Sequence, residues 1–266
     1  MKKIPVYQVD AFTDKPFHGN PAAICPLDEW LPDLTMQQIA KENNLAETAF
    51  IVPYEDAYQI RWFTPGIEVD LCGHATLAAA FVYFRLLDHP GRQIRFFSRS
   101  GWLIVTREDN GQFTLDFPAD IPVPVEHPAE AIFSGLCIQA SKVYKGKFDY
   151  LVEMNSEEEL GKLKPDFRLL SSLDSRGLIV TAPGDNVDFV SRCFFPQSGI
   201  DEDPVTGSAH CLLTNYWHMK TGRYSFSAVQ LSERKGWLDC TLSGDRVLMS
   251  GDAVLFLQGE ILIDDK

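Results

Sequence analysis

The stretch IEVDLCGHATLAAAFVYF, residues 67–84, begins like a buried strand, breaks at Cys72-Gly73-His74, and continues as an almost unbroken run of apolar or small residues. A helix that is apolar on most sides cannot lie on a surface and must be wrapped by other structure. A second stretch, IDEDPVTGSAHCLLTNYWHM, residues 200–219, makes the same kind of junction later in the chain. Together they predict an α/β (α+β) protein of two pseudo-symmetric halves, each a curved, mostly antiparallel, barrel-like sheet wrapped around a central helix.

The repeat is carried by landmarks in one order. GHATLAAAFVYF at 73 is answered by GSAHCLLTNYWH at 207, an offset of 134; Gly-Trp-Leu recurs at an offset of 135, and WFTP is answered by CFFP at 131. Three landmarks at nearly one spacing point to an internal duplication. Short β-rich runs at 6–12, 48–53, 58–63, 94–98, 102–108 and 113–118 read as strands, and 35–44 and 74–87 as helices. The two central helices are expected to end at Arg85 and Lys220, with Gly91 and Gly222 close behind. Pro118, Pro122, Pro124 and Pro128 crowd the best boundary, giving halves of 1–118 and 119–266, with a C-terminal strand that can return to the first half.

Composition narrows the function. With 45% hydrophobic and 12% aromatic residues the chain is globular, and no run approaches the apolar length of a membrane span. A net charge of −13 opposes nucleic acid and anionic membrane surfaces as partners, leaving a small ligand. Pro5, Gln8 and Asp10 interrupt any secretory core at the N-terminus, so a cytoplasmic protein is expected. The six cysteines are scattered without metal-site or disulfide spacing, and most are expected to be reduced, buried thiols.

The junctions carry the chemistry. A helix start exposes unpaired N–H groups and about half a positive charge, so two starts facing one cleft between the halves would favour a carboxylate. Gly73 and Gly207 suit close backbone approach to a ligand, or are ordinary turn glycines. His74, in the first helical turn, reads either as a neutral imidazole able to exchange a proton or as a local packing residue. Asp203 and Ser208 flank the second junction, where capping is the commonest use of such residues. Strand alternation groups Leu45, Glu47, Ala49 and Ile51, placing the Glu47 carboxylate among apolar neighbours, as a general acid/base requires, unless it serves structure alone.

The motifs FHGNPAAI (17–24), LAETAFI (45–51), CGHATLAAA (72–80) and DEDPVTGSAH (201–210) together resemble the phenazine-biosynthesis (PhzF-like) family, which shares the fold of diaminopimelate epimerase. The resemblance implies a cofactor-independent active site in a cleft, a homodimer, an acid/base glutamate at Glu47, and assisting residues at His74, Asp203 and Ser208. Substrate contacts are expected from Gly73, Ser208, Asn20, Ala75, Thr76 and Gly207, with no metal ligands. The implied activity is an isomerase that moves a proton within a small, amino-acid-like carboxylate. Two alternatives stand beside it: a non-catalytic small-ligand binding or interaction protein, and an amino-acid racemase or epimerase using Cys72. Related epimerases pair two cysteines, whereas aligning Gly73 with Gly207 puts Thr206 opposite Cys72, and a hydroxyl is a far weaker acid than a thiol.

Overall fold

A computed structural model describes residues 1–264; the last two residues of the expected second half, 265 and 266, lie outside the described residues. The chain forms two compact units, Met1–Asp116 with the segment from Ser250 onward, and Phe117–Met249.

In chain order the first unit contains β1 (Lys2–Ala11), β2 (Asn20–Pro26), α1 (Asp33–Asn43), β3 (Glu47–Tyr54), β4 (Ala57–Phe63), β5 (Glu68–Val69), α2 (Gly73–Arg85), β6 (Gln93–Ser98) and β7 (Gly101–Arg107). Strand β8 (Phe113–Pro118) closes this series at the unit boundary. The second unit carries β9 (Val123–Pro124), α3 (Glu130–Leu136), β10 (Val143–Lys145), β11 (Asp149–Glu153), α4 (Glu157–Gly161), α5 (Phe167–Leu170), β12 (Gly177–Pro183) and β13 (Phe189–Phe194). It continues with α6 (Gly207–Thr221), β14 (Ser225–Gln230) and β15 (Gly236–Ser243), and β16 (Arg246–Gly251) runs through the unit boundary after Met249. The last strand, β17 (Ala253–Ile263), belongs to the first unit and pairs antiparallel with β1 along its length.

Within each unit the same wiring recurs. In the first, β2 and β3 are parallel, β3 and β4 antiparallel, β4 and β6 parallel across α2, and β6 and β7 antiparallel. In the second, β11 and β12 are parallel, β12 and β13 antiparallel, β13 and β14 parallel across α6, and β14 and β15 antiparallel. Parallel neighbours require a crossover, and the buried helix supplies it. The sheets are therefore mixed, with antiparallel pairs predominating.

Both central helices are buried on nearly every side. In α2, Leu77, Ala78, Ala79, Ala80 and Val82 are wholly inaccessible, and the helix packs on β1, β2, β3, β7 and β17. Burying Leu77 alone contributes roughly 2–3 kcal/mol. Helix α6 uses larger side chains: Leu213, Tyr216 and Trp217 pack on Ile179, Phe189 and Phe226, with the Phe189 and Trp217 rings stacked at 5.7 Å.

The opposite face of each sheet is covered by shorter helices. Met36, Ile39 and Ala40 of α1 meet Phe50 and Val52 of β3, and Leu136, Leu160 and Leu170 of α3, α4 and α5 meet Leu178, Val180 and Val190. With both faces dry, strands such as β3 and β12 are apolar without alternation. The same reason hides β2, Asn20–Pro26, for which the sequence reading assigns no strand.

Helix ends differ from expectation in one instance. Gly222 adopts the left-handed conformation (φ 74°) and closes α6 through its N–H to His218 O, whereas α2 stops at Leu86 without using Gly91.

Candidate active site

The first junction lies wholly within the first unit. Cys72 is the N-cap residue of α2 in extended conformation, and its carbonyl accepts from Thr76 Oγ1 at 2.5 Å, so the Thr76 hydroxyl proton is already committed. No side-chain hydrogen bond of cap geometry closes the start of α2, although the Ala75 N–H approaches the Cys72 sulfur. Ala75 and Thr76 are fully buried in that turn.

His74 meets the first residue of β3. Its Nε2 lies 3.1 Å from Glu47 Oε2, with the two side chains 7% and 14% exposed. Glu47 Oε2 is shut off from solvent, and the imidazole reaches it at ion-pair distance without the alignment of a hydrogen bond. Cys72 Sγ lies 3.6 Å from His74 Nδ1 and 4.0 Å from Nε2. One ligand atom each from Glu47, Cys72 and His74 can be enclosed within 4.8 Å, a set able to hold a metal ion.

Leu45 precedes β3 in a bend, so the strand begins at Glu47 itself. Asn20 opens β2 fully buried, two positions before Ala22, the parallel neighbour of Glu47. The turn leading into it depends on Gly19 (φ 64°), where a Cβ would stand 2.2 Å from Ala11 O.

The charge state of His74 reverses the expectation of a neutral ring. Burial disfavours the imidazolium, but the charges of Cys72 and Glu47 and close contact with both outweigh it, and the His74 pKa lies well above its usual value. The Cys72 thiol is pushed up to about 11, by burial first and by the Glu47 charge second. Cys72 and Glu47 thus both favour the protonated His74 ring. A full carboxylate charge at 3.1 Å overrides the partial charge of a helix end.

The second junction, within the second unit, is built on the same backbone plan. Thr206 is the extended N-cap residue of α6, Gly207 and Ser208 open the helix, and neither Gly73 nor Gly207 has positive φ. Thr206 N donates to Gln230 Oε1 (2.8 Å), Gln230 Nε2 donates to Asp203 O (2.7 Å), and Thr206 Oγ1 donates to Asp203 Oδ2 (2.5 Å). Neighbouring Glu202 is taken up by Arg192 in a two-pronged ion pair.

Arg176 was not apparent from sequence. Its guanidinium pairs with buried Asp149 through Nε (2.9 Å) and Nη2, lies over the Phe148 and Phe195 rings at 5.3 Å each, and donates from Nη2 to Ser208 Oγ (3.0 Å). An arginine just before an apolar strand carries no local motif; only the fold shows that it reaches residue 208. His210 was also missed. Its Nδ1 lies 2.8 Å from Thr206 O, an obligate acceptor, so Nδ1 carries the proton, and Nε2 is buried with no partner. Burial lowers the His210 pKa to about 4, so the neutral ring expected at the first junction stands at the second.

The site residues thus fall into two groups: Asn20, Glu47, Gly73, His74, Ala75 and Thr76 in the first unit, and Asp203, Gly207 and Ser208 in the second. Among the described residues no helix is long and apolar enough to cross a membrane.

Comparison with known proteins bears on both units. Residues 9–259 match the family model described as Phenazine biosynthesis-like protein. An uncharacterized isomerase of Pseudomonas aeruginosa is 49% identical over 97% of this chain and 99% of its own length, and one of Halalkalibacterium halodurans is 47% identical over 99% and 100%. The crystal structure of a PhzF-family phenazine biosynthesis protein from Enterococcus faecalis superposes with a TM-score of 0.95 at 45% identity, covering 98% of this chain and 100% of that one. With matches of this length and identity, the chain belongs to the phenazine biosynthesis-like protein family.

Proposed function

We propose that the protein is a cofactor-independent isomerase that moves a proton within a small, amino-acid-like carboxylate, with Glu47 as the acid/base. The observation that carries this reading is the Glu47–His74 pair: a carboxylate screened from solvent, 3.1 Å from an imidazole in the first turn of a helix. One carboxylate serves as both base and acid because the proton it removes is the proton it returns. His74, held as the imidazolium by Glu47, orients the carboxylate and offsets charge that develops on the substrate. The start of α2 suits an anionic group. Asp203 and Ser208 take the assisting roles that the family resemblance assigns them, and Gly73, Gly207, Asn20, Ala75 and Thr76 the substrate contacts. The relatives named as isomerases support the reaction class. Homodimeric assembly and a cytoplasmic location belong to the same proposal.

The Cys72 racemase alternative loses support, because a thiol pushed up to about 11 furnishes little thiolate at neutral pH. The test is solvent-deuterium incorporation into members of a panel of small amino-acid-like carboxylates. Wild type is expected to label a substrate that Glu47→Gln leaves unlabelled; equal labelling by both removes Glu47 from the reaction.

A further inference from the structure

The hydroxyls at the two helix starts are not equally free. The Thr76 hydroxyl donates to Cys72 O and the Thr206 hydroxyl to Asp203 Oδ2, each at 2.5 Å, so both protons are spent inside their own junction. Ser208 differs. Its Oγ accepts from Arg176 Nη2 at 3.0 Å, and its own proton has no acceptor among the described residues. The residue is half-buried, which leaves the hydroxyl accessible to a small molecule.

Arg176 is held firmly for this purpose. Asp149, whose side chain is 4% exposed, takes its Nε at 2.9 Å together with its Nη2, and the Phe148 and Phe195 rings each lie 5.3 Å from the guanidinium carbon. This two-pronged pair leaves Nη2 one further N–H, which goes to Ser208. A guanidinium has only donors and keeps its charge, so the direction of that bond is fixed and the serine oxygen must accept. A hydroxyl that accepts from a cation is polarised, which strengthens it as a donor and weakens its remaining lone pair as an acceptor. The partner of Ser208 on a substrate is therefore an acceptor. Of the two charged ends of an amino acid, only the carboxylate accepts.

We propose that Arg176 is a positioning residue that acts through Ser208: it fixes the serine hydroxyl as a donor and so makes the second junction select the carboxylate end of the substrate over its ammonium end. This role rests on the reading of Ser208 as a substrate contact and is independent of the part played by Glu47.

The test is a binding measurement, an NMR titration of the full chain with the panel of small amino-acid-like carboxylates, each set beside its carboxamide, in which a neutral group replaces the charged acceptor. Wild type is expected to bind at least one carboxylate about tenfold more tightly than its amide. Arg176→Met alone strands Asp149, so the arginine is removed as Asp149→Leu with Arg176→Met, which leaves no buried charge behind. Arg176→Lys, which keeps a charge beside Asp149 but lacks the planar fork, is the second route. Each variant is checked for folding by circular dichroism. Ser208→Ala and the Asp149→Leu/Arg176→Met variant are each expected to cut the preference for carboxylate about fivefold, Arg176→Lys to cut it in the same sense, and Ser208→Ala added to the arginine change to cut it no further. An arginine that only supports the fold would weaken carboxylate and amide alike. The role is overturned by a wild type without the preference, by a folded arginine variant of either kind that keeps it, or by a combined loss equal to the product of the single ones. Failure here and failure of the acid/base reading are distinct. If Glu47→Gln still incorporates deuterium, the acid/base assignment fails while the binding preference continues to support Arg176. If the preference ignores Arg176 and Ser208 but Glu47→Gln is inert, the positioning role fails alone.

Discussion

The two junctions share a frame and differ in charge. At the first, Cys72, Gly73, His74 and Thr76 occupy the places that Thr206, Gly207, Ser208 and His210 occupy at the second, and in both the side chain four residues on bonds the N-cap carbonyl: the Thr76 hydroxyl in one, the His210 imidazole in the other. What approaches the opened helix is opposite in sign. The first residue of β3 brings the Glu47 carboxylate to His74, while the residue just before β12 brings the Arg176 guanidinium to Ser208. A duplicated backbone plan has thus been given an acid on one side and a base on the other. The histidines differ for separate reasons: Cys72 and Glu47 drive His74 toward its charged form, and burial drives His210 toward its neutral one.

This contrast can be broken in several ways. The largest effect is expected from Glu47→Gln, with deuterium exchange falling about 10²–10⁴-fold, against a smaller loss for Asp203→Asn. Equal losses would erase the distinction between a proton-carrying junction and an assisting one. Next, Arg176→Met strands Asp149, whose side chain is only 4% exposed, and is expected to cost about 3–5 kcal/mol in chemical denaturation.

The histidines give the comparison a pH signature. His210 has a folded pKa near 4, below its unfolded value of about 6.5, so its contribution is full above about pH 6.5 and is lost as pH falls toward about 4, a change on the order of 3 kcal/mol that His210→Asn should remove. His74 has the opposite sign. Its folded pKa is raised, so its contribution is full below about pH 6.5 and is lost as pH climbs through the folded value. The smallest effect is expected from Thr206→Val, which removes the hydroxyl bond to Asp203 at a cost of about 1 kcal/mol in the same denaturation assay.

Much of the fold was legible in the chain because two helices that are apolar all round leave no alternative to being wrapped, and because Gly-Trp-Leu marks a strand start in each half, at Gly101 and Gly236. Strand β2 was not legible, since burial on both faces removes alternation and Pro21 and Pro26 resemble loop punctuation. Glu47 and His74 were legible as candidates, each from its local setting. The charge state of His74 was not, because Cys72 and Glu47, the latter 27 positions earlier in sequence, favour the charged ring where the helix end opposes it. Arg176 was hidden for the same reason: its meaning lies in Asp149 and Ser208, which only the folded sheet brings to it.

The most direct measurement is an NMR titration of the histidine rings in wild type and Glu47→Gln. The His74 ring is expected to titrate well above the usual histidine value in wild type and to fall back in the variant, while the His210 ring stays neutral down to about pH 4. A wild-type His74 that titrates at or below the usual value, unmoved by loss of the Glu47 charge, would contradict the pairing on which the proposed chemistry depends.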